Sequence, residues 1–361
     1  MNKNHYAIIM AGGIGSRFWP ISRSSYPKQF LDILGTGKTL IQNTYDRFLK
    51  VCPKENIYVV TNDNYAGIVQ EQLPDMSDHQ ILTEPVMRNT APCIAYGCFK
   101  IESLNPNASI VVAPSDHLIL DEAAFITAIE KSLDIANKKE CLVTLGIKPS
   151  RPDTGYGYIQ YTDHAIGDDF YKVKTFTEKP TLEIAKTFLQ SGDFLWNAGI
   201  FVWSGKAILN AFSRYLPEMN EIFAEARPVY NSDNEKNHIH KAYQQCTNIS
   251  IDYGIMEKAD NVYVLPSEFG WSDLGTWASI YQLAEKDYVG NAVIPSEKVI
   301  MYDSSNCMVN VPADKLVFLQ ALHDFIVIES NNTLLICPRD QDTPVPPVVE
   351  TVQKPFGTKY I

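Results

Sequence analysis

The chain has no long apolar run. Nothing in its 361 residues approaches the roughly 20 consecutive apolar positions that a membrane-spanning helix needs, so no membrane partner is expected. Basic tracts are missing too: Lys and Arg number 31 against 42 Asp and Glu, and a net charge of −11 argues against a nucleic-acid partner. The seven cysteines lack paired spacing, which speaks against a disulfide framework and for buried thiols in a reducing cytoplasm. Cys93 and Cys98, in a helical stretch, read as core thiols. The N-terminus enters a strand-like run without the charged head, apolar stretch and cleavage site of a secretory leader. No regular repeat or low-complexity segment is visible.

What remains is an ordinary mixture, 45% hydrophobic and 20% charged, patterned as α/β. Continuous apolar or β-branched runs predict strands over 6–10, 57–61, 80–83, 109–113 and 141–147. Between them lie helical patterns that begin after Thr39 and then cover 65–73, 90–104 and 123–138. Repeated βα units imply a mostly parallel, doubly wound sheet whose ligands sit beyond the carboxyl ends of the strands. From Gly155 the pattern turns β-rich, with strands over 156–161, 171–177 and 196–203. Residues 251–258 read as a short helix capped by Asp252. Short β-branched runs from about 291 to 338 suggest a small all-β module, and the proline-containing tail after Arg339 is expected to be extended. The expected domains are 1–287 and 288–361.

An anion-binding protein with so negative a net charge must rely on local cations and backbone N–H groups. One loop offers both. After the first strand comes Ala11-Gly12-Gly13-Ile14-Gly15-Ser16-Arg17-Phe18-Trp19-Pro20, and it ends in Tyr26-Pro27-Lys28-Gln29-Phe30. Spaced glycines let the backbone wrap phosphates, and Arg17 and Lys28 add fixed positive charge. A dinucleotide fingerprint needs a third glycine where Phe18-Trp19-Pro20 stands, and Gly37-Lys38-Thr39 lacks the earlier glycine of a P-loop. On its glycines alone, the string is as well explained by a tight turn. Two acidic loops stand out: Ala113-Pro114-Ser115-Asp116-His117 directly follows a strand-like run, and Gly270-Trp271-Ser272-Asp273-Leu274-Gly275 is flanked by small residues. Each aspartate taken singly also suits a turn or a helix cap.

The whole string, Gly12-Gly13-x-Gly15-x-Arg17 with Pro20 and then Pro27-Lys28, resembles the nucleotide-binding loop of sugar-nucleotide pyrophosphorylases. Trp19-Pro20 and Pro27-Lys28-Gln29-Phe30 look most like the mannose-1-phosphate guanylyltransferases among them. The resemblance extends from about residue 6 to 338, with the motifs in family order. It implies a Rossmann-like, GT-A-like α/β nucleotidyltransferase domain on a mixed, mostly parallel sheet, with a small C-terminal all-β module of left-handed β-helix type and a homodimer. It also implies the substrates GTP and mannose 1-phosphate, and a divalent cation such as Mg²⁺ held by Asp116 and Asp273. Arg17, Lys28, Asp116 and Asp273 are then the catalytic candidates, and Ala11, Gly12, Gly13, Gly15 and Ser16 join them around the nucleotide.

Thr177-Glu178-Lys179-Pro180 resembles the family's Val-Glu-Lys-Pro stretch, with Glu178 on sugar hydroxyls and Lys179 on the sugar phosphate. The residue types suit those roles, since a carboxylate accepts from hydroxyls and an ammonium neutralises phosphate. Trp196-Asn197-Ala198-Gly199-Ile200 and Gly155-Tyr156-Gly157-Tyr158-Ile159 match sugar-side segments, nominating Asn197, Gly199 and Gly157. Glu84-Pro85 and Arg88-Asn89-Thr90-Ala91-Pro92 resemble the base-binding region, and either Glu84 or Asn89 is the candidate for guanine. His117 suits substrate contact or loop orientation equally. Bifunctional relatives continue into a cupin-type isomerase domain; with the chain ending at Ile361, isomerase activity is expected to be absent. Two alternatives stay open: transfer involving glucose 1-phosphate with UTP or dTTP, and a non-catalytic sensor on the same fold.

Overall fold

Tyr6, Ile8 and their neighbours Ala7 and Ile9 are all buried, so the first strand is covered on both faces, as a central strand of a layered α/β unit must be. The computed structural model describes residues 1–167, 169–294, 298–341 and 345–361. They fall into two compact units, neither continuous in sequence. One comprises Met1–Gly12, Thr44–Ser115 and Ile119–Trp271; the other comprises Gly13–Asn43, Asp116–Leu118 and Ser272–Ile361.

In chain order the strands begin with β1 (His5–Met10), β2 (Ile57–Asn62), β3 (Ile81–Glu84), β4 (Ser109–Pro114) and the two-residue β5 (Leu118–Ile119). Then come β6 (Leu142–Ile147), β7 (Tyr158–Ile166), β8 (Phe170–Thr177), β9 (Phe194–Ser204), β10 (Val262–Ser267) and the short β11 (Trp271–Ser272). The first unit is built on a nine-stranded sheet in the order β3-β2-β1-β4-β9-β6-β10-β8-β7. β3, β2, β1 and β4 are parallel. β9 runs antiparallel to both β4 and β6, and β8 is antiparallel to β10 and β7. The sheet is therefore mixed: the β-rich stretch after Gly155 contributes the antiparallel strands, and the expected parallel order holds for the first half.

Helix Thr90–Leu104 is buried along most of its length, and Ala91, Ile94, Cys98 and Ile101 share one apolar core with Ile8, Tyr58, Val60, Ile110 and Val112. Helix Glu122–Lys138, capped by Asp121, lies against β4 and β9. Residues 251–258 form a single π-helical turn, Asp252–Met256, in which Ile251 is the cap and Asp252 is the first helical residue. Asp252 is thus not the cap that its position suggests; its carboxylate is engaged elsewhere, as described below.

In the second unit β12 (Ala292–Ile294), β14 (Met308–Asn310), β16 (Phe325–Ser330) and β17 (Thr333–Pro338) form one sheet, parallel except for the β16–β17 pair. β13 (Val299–Tyr302) and β15 (Val317–Gln320) form a second, parallel pair. The chain alternates between these two ladders, and Val293, Val299, Met301, Val309, Val317, Leu319 and Val327 close a small core. The tail is not extended. Val345–Phe356 is a helix, and Pro346 and Pro347 fall in its first turn, where a missing N–H costs little. Val349 and Val352 join the core of this unit, and the Trp19 indole donates to the Tyr360 carbonyl at 2.6 Å.

Candidate active site

The glycine-rich loop owes its path to one close approach. Gly15 has φ +57, and a Cβ there would fall 2.7 Å from Lys28 Cβ and 2.8 Å from Lys28 N. A side chain would meet both steric and backbone strain. The loop closes on itself where Gln29 Nε2 donates to the Gly13 carbonyl at 2.8 Å. Phe18 is buried with its ring edge-on to Trp277, 5.0 Å between centroids, which anchors the loop to the core formed with Leu274, Ile280 and Met308.

Lys28 is buried, and its ammonium is held by three polar groups and an aromatic ring. Nζ lies 2.9 Å from Asp116 Oδ2, donates to the carbonyls of Asp273 at 2.8 Å and Leu274 at 3.2 Å, and sits 5.5 Å above the Phe18 ring. Burial pushes the Asp116 carboxyl up, but the charges of Lys28 and His117 and the Lys28 hydrogen bond outweigh it and hold Asp116 below the usual aspartate value. Asp273 Oδ1 accepts from the Gly275 N–H at 3.0 Å, fixing that loop. Gly15, Arg17, Phe18, Lys28, Asp116, His117, Asp273 and Gly275 line one cleft of about 250 Å³. Arg17 is exposed at its edge. The Ser16 side chain lies outside the described residues.

Two carboxylates with cations beside them suit a hard divalent ion that takes its remaining ligands from water and substrate phosphates. Among the described residues no group of three or more His, Cys, Asp or Glu side chains forms an all-protein metal cage. Asp116 and Asp273 offer oxygen ligands, the donor type that hard divalent cations take, rather than the nitrogen and sulfur ligands that zinc favours.

The remaining candidates belong to the first unit and fall into two groups. In one, the Ala11 N–H bonds the Val60 carbonyl and its own carbonyl accepts from Thr61 Oγ1, so the entry to the loop is tied to β2. Glu84, at the end of β3, is buried and accepts from the Tyr243 hydroxyl at 2.8 Å. Its other oxygen would lie 3.2 Å from a Cβ built on Gly12. Burial pushes Glu84 up to about 7, with the Tyr243 hydrogen bond acting the other way. Asn89 has φ +68 and caps helix Thr90–Leu104, its oxygen accepting from the Thr90 N–H at 2.9 Å.

The second group gathers the sugar-side candidates. Asn197 N donates to the Gly157 carbonyl at 2.8 Å; a Cβ on Gly157 would collide with Glu178 Oε2 and lie 3.3 Å from Asn197 Cβ. Lys179 is mostly exposed, with Nζ 3.4 Å from Glu178 Oε1. Gly199 has φ +67, and its N–H donates to Asn197 Oδ1 at 3.1 Å. Thr144 and Asp252 also belong here, although sequence reasoning nominated neither: Thr144 Oγ1 donates to Asn197 Oδ1 at 2.9 Å and Asn197 Nδ2 donates to Asp252 Oδ1 at 3.0 Å. Thr144 reads as an ordinary strand residue. The only signal for Asp252 was a polar residue opening a short helix.

The sequence pattern of the Nucleotidyl transferase family matches residues 6–289. Mannose-1-phosphate guanylyltransferase RfbM of Salmonella typhimurium is 33% identical over 358 residues, which are 98% of this chain and 73% of that protein. Alginate biosynthesis protein AlgA of Pseudomonas aeruginosa is 35% identical over 347 residues, 95% of this chain and 71% of its own. Among solved structures, one described as a mannose-1-phosphate geranyltransferase from Thermus thermophilus superposes with a TM-score of 0.86 at 30% identity, covering 97% of this chain and 99% of that one.

Proposed function

The chain belongs to the nucleotidyl transferase family, alongside the mannose-1-phosphate guanylyltransferases, and we propose that it performs their reaction. GTP and α-D-mannose 1-phosphate give GDP-mannose and diphosphate. A phosphate oxygen of the sugar phosphate forms a bond to the α-phosphorus of GTP as the bond to the β-phosphate oxygen breaks in line. The observation that carries this reading is the cleft that joins the glycine loop, Arg17 and Lys28 to Asp116 and Asp273.

Gly13 has open space beside it for phosphate against the backbone, Gly15 lets the loop close on Lys28, and Arg17 neutralises charge at the cleft's edge. Lys28 serves as a second cation, held in place by Asp116 and two carbonyls. Asp116 and Asp273 would hold Mg²⁺, which supplies charge neutralisation for the phosphates. Glu178 and Asn197 orient sugar hydroxyls, Lys179 receives the sugar phosphate, and Glu84 or Asn89 reads guanine. No side chain need form a covalent intermediate, because positioning and charge neutralisation supply the rate.

We extend the proposal to three further features. The alternation of β12, β14 and β16 with β13 and β15 supports turns of a left-handed β-helix within 288–361, appended to a nucleotidyltransferase domain over 1–287. Ile300, Tyr302 and Phe318 are 50%, 63% and 59% exposed, a face suited to a second copy in a homodimer, testable by light scattering. Buried cysteines, six of the seven, suit a cytoplasmic setting, and no helix among the described residues is long and apolar enough to cross a membrane.

Diphosphate release from a panel of nucleoside triphosphates and hexose 1-phosphates, with and without Mg²⁺, tests the reaction. GTP with mannose 1-phosphate should give the highest kcat/KM, and only with the metal. A preference for UTP or dTTP with glucose 1-phosphate would replace this reading.

A further inference from the structure

Asn197 has an amide with two acceptor and two donor positions. Its oxygen is fully used: Thr144 Oγ1 donates to it at 2.9 Å and the Gly199 N–H at 3.1 Å. The Gly199 N–H, which can only donate, fixes which end of the amide is oxygen. The amino group therefore faces Asp252, and one of its hydrogens goes to Asp252 Oδ1 at 3.0 Å. What Asn197 still offers a ligand is a single N–H. A sugar hydroxyl is both donor and acceptor, so Asn197 alone satisfies half of it.

The missing acceptor is adjacent. Asp252 is half-buried, and the charges of Glu178 and Lys179 both act on its carboxyl, in opposite directions. Burial and the Glu178 charge push the Asp252 carboxyl up to about 7. Like charges acting on one another cost stability unless hydrogen-bond donors offset them. Gly157 makes room for the Glu178 carboxylate beside Asn197, since a Cβ there would collide with Glu178 Oε2 and lie 3.3 Å from Asn197 Cβ.

We infer that Asp252 is a sugar-recognising residue: steadied by Asn197, its carboxylate accepts a hydrogen bond from a hexose hydroxyl whose oxygen takes the remaining Asn197 N–H. The inference rests on the sugar-phosphate site proposed above and adds to it the acceptor that Asn197 lacks.

Asp252→Asn tests it, because the variant keeps an oxygen for the Asn197 amide and replaces the free acceptor with a donor. A lost hydrogen bond to a charged group corresponds to roughly a 10-fold or greater rise in KM for mannose 1-phosphate. The KM for GTP should stay within about twofold and the melting temperature at pH 8 should not fall. Singly deoxygenated mannose 1-phosphates give the second readout. One of them should be penalised with the wild-type enzyme and lose that penalty with Asp252→Asn, as coupling in a double-mutant cycle requires. An unchanged KM for the sugar, or equal rises in both KM values with a lowered melting temperature, would overturn the inference and leave Asp252 a structural residue. If the wild-type enzyme uses a different hexose 1-phosphate, the choice of mannose fails by itself, and Asp252 is judged by the same two readouts on that sugar.

Discussion

Lys28 Nζ and Asp116 Oδ2 lie 2.9 Å apart, joining two residues 88 positions distant in the sequence. The contact is one of three polar contacts that hold the ammonium, so Lys28 is a fixed charge rather than a mobile one. A fixed charge suits catalysis because nothing has to reorganise as charge develops on the leaving diphosphate. It also links activity and stability at one side chain.

Lys28→Ala should therefore lower kcat by about 100-fold or more, the scale for losing one preorganised electrostatic contact. The melting temperature should fall as well, because Asp116 loses its partner. The fall should be smaller than the ~3–5 kcal/mol of a fully buried pair, since 28% of the Asp116 side chain is exposed. Steady-state kinetics with a thermal melt checks both; full activity would remove Lys28 from the mechanism.

Gly15→Ala places a methyl group 2.7 Å from Lys28 Cβ at φ +57. The backbone strain alone is about 1–2 kcal/mol, and relief requires Lys28 to move. The KM for GTP should rise with little change in the KM for mannose 1-phosphate. An equal rise in both would show that the loop does not serve the nucleotide selectively.

Lys179 is 60% exposed, so its removal should leave stability untouched. Lys179→Ala is expected to raise the KM for mannose 1-phosphate about 10-fold or more, the scale for a charge-assisted hydrogen bond. The KM for GTP should stay constant. Isothermal titration with each substrate separates the two effects.

Glu84 gives a pH dependence of stability. Its folded-state pKa, about 7, lies above the unfolded value near 4.3, so the folded protein keeps a proton that the unfolded chain has released. This group's contribution is fully present below about pH 4 and is lost progressively as the pH rises toward 7. Glu84→Gln removes the titration. Relative to wild type, the variant should gain melting temperature between pH 5 and pH 8, and a pH-independent difference would contradict the assignment. If Glu84 also reads guanine, the same variant should narrow the preference for GTP over other triphosphates.

Much of this was legible because local chemistry and tertiary structure agree. The apolar runs at 6–10 and 109–113 became β1 and β4, and the pattern over 90–104 became a helix with those bounds, because burial on both faces writes itself into composition. Loop motifs placed Arg17, Lys28, Asp116 and Asp273, and the structure brings them around one cleft. The orientation of β9 between β4 and β6 was not legible, because pairing direction depends on long-range partners. The prolines of the tail suggested an extended segment, yet Pro346 and Pro347 sit where a helix tolerates them. Asp252 passed as a cap because its significance lies in Asn197, 55 positions earlier.

The most direct test of the central claim is product identification. Purified protein with GTP, mannose 1-phosphate and Mg²⁺ should yield GDP-mannose and diphosphate in equal amounts by mass spectrometry, and Asp116→Asn should reduce that rate by about 100-fold or more. Absence of GDP-mannose from the wild-type reaction, or an Asp116→Asn rate equal to wild type, would contradict the account.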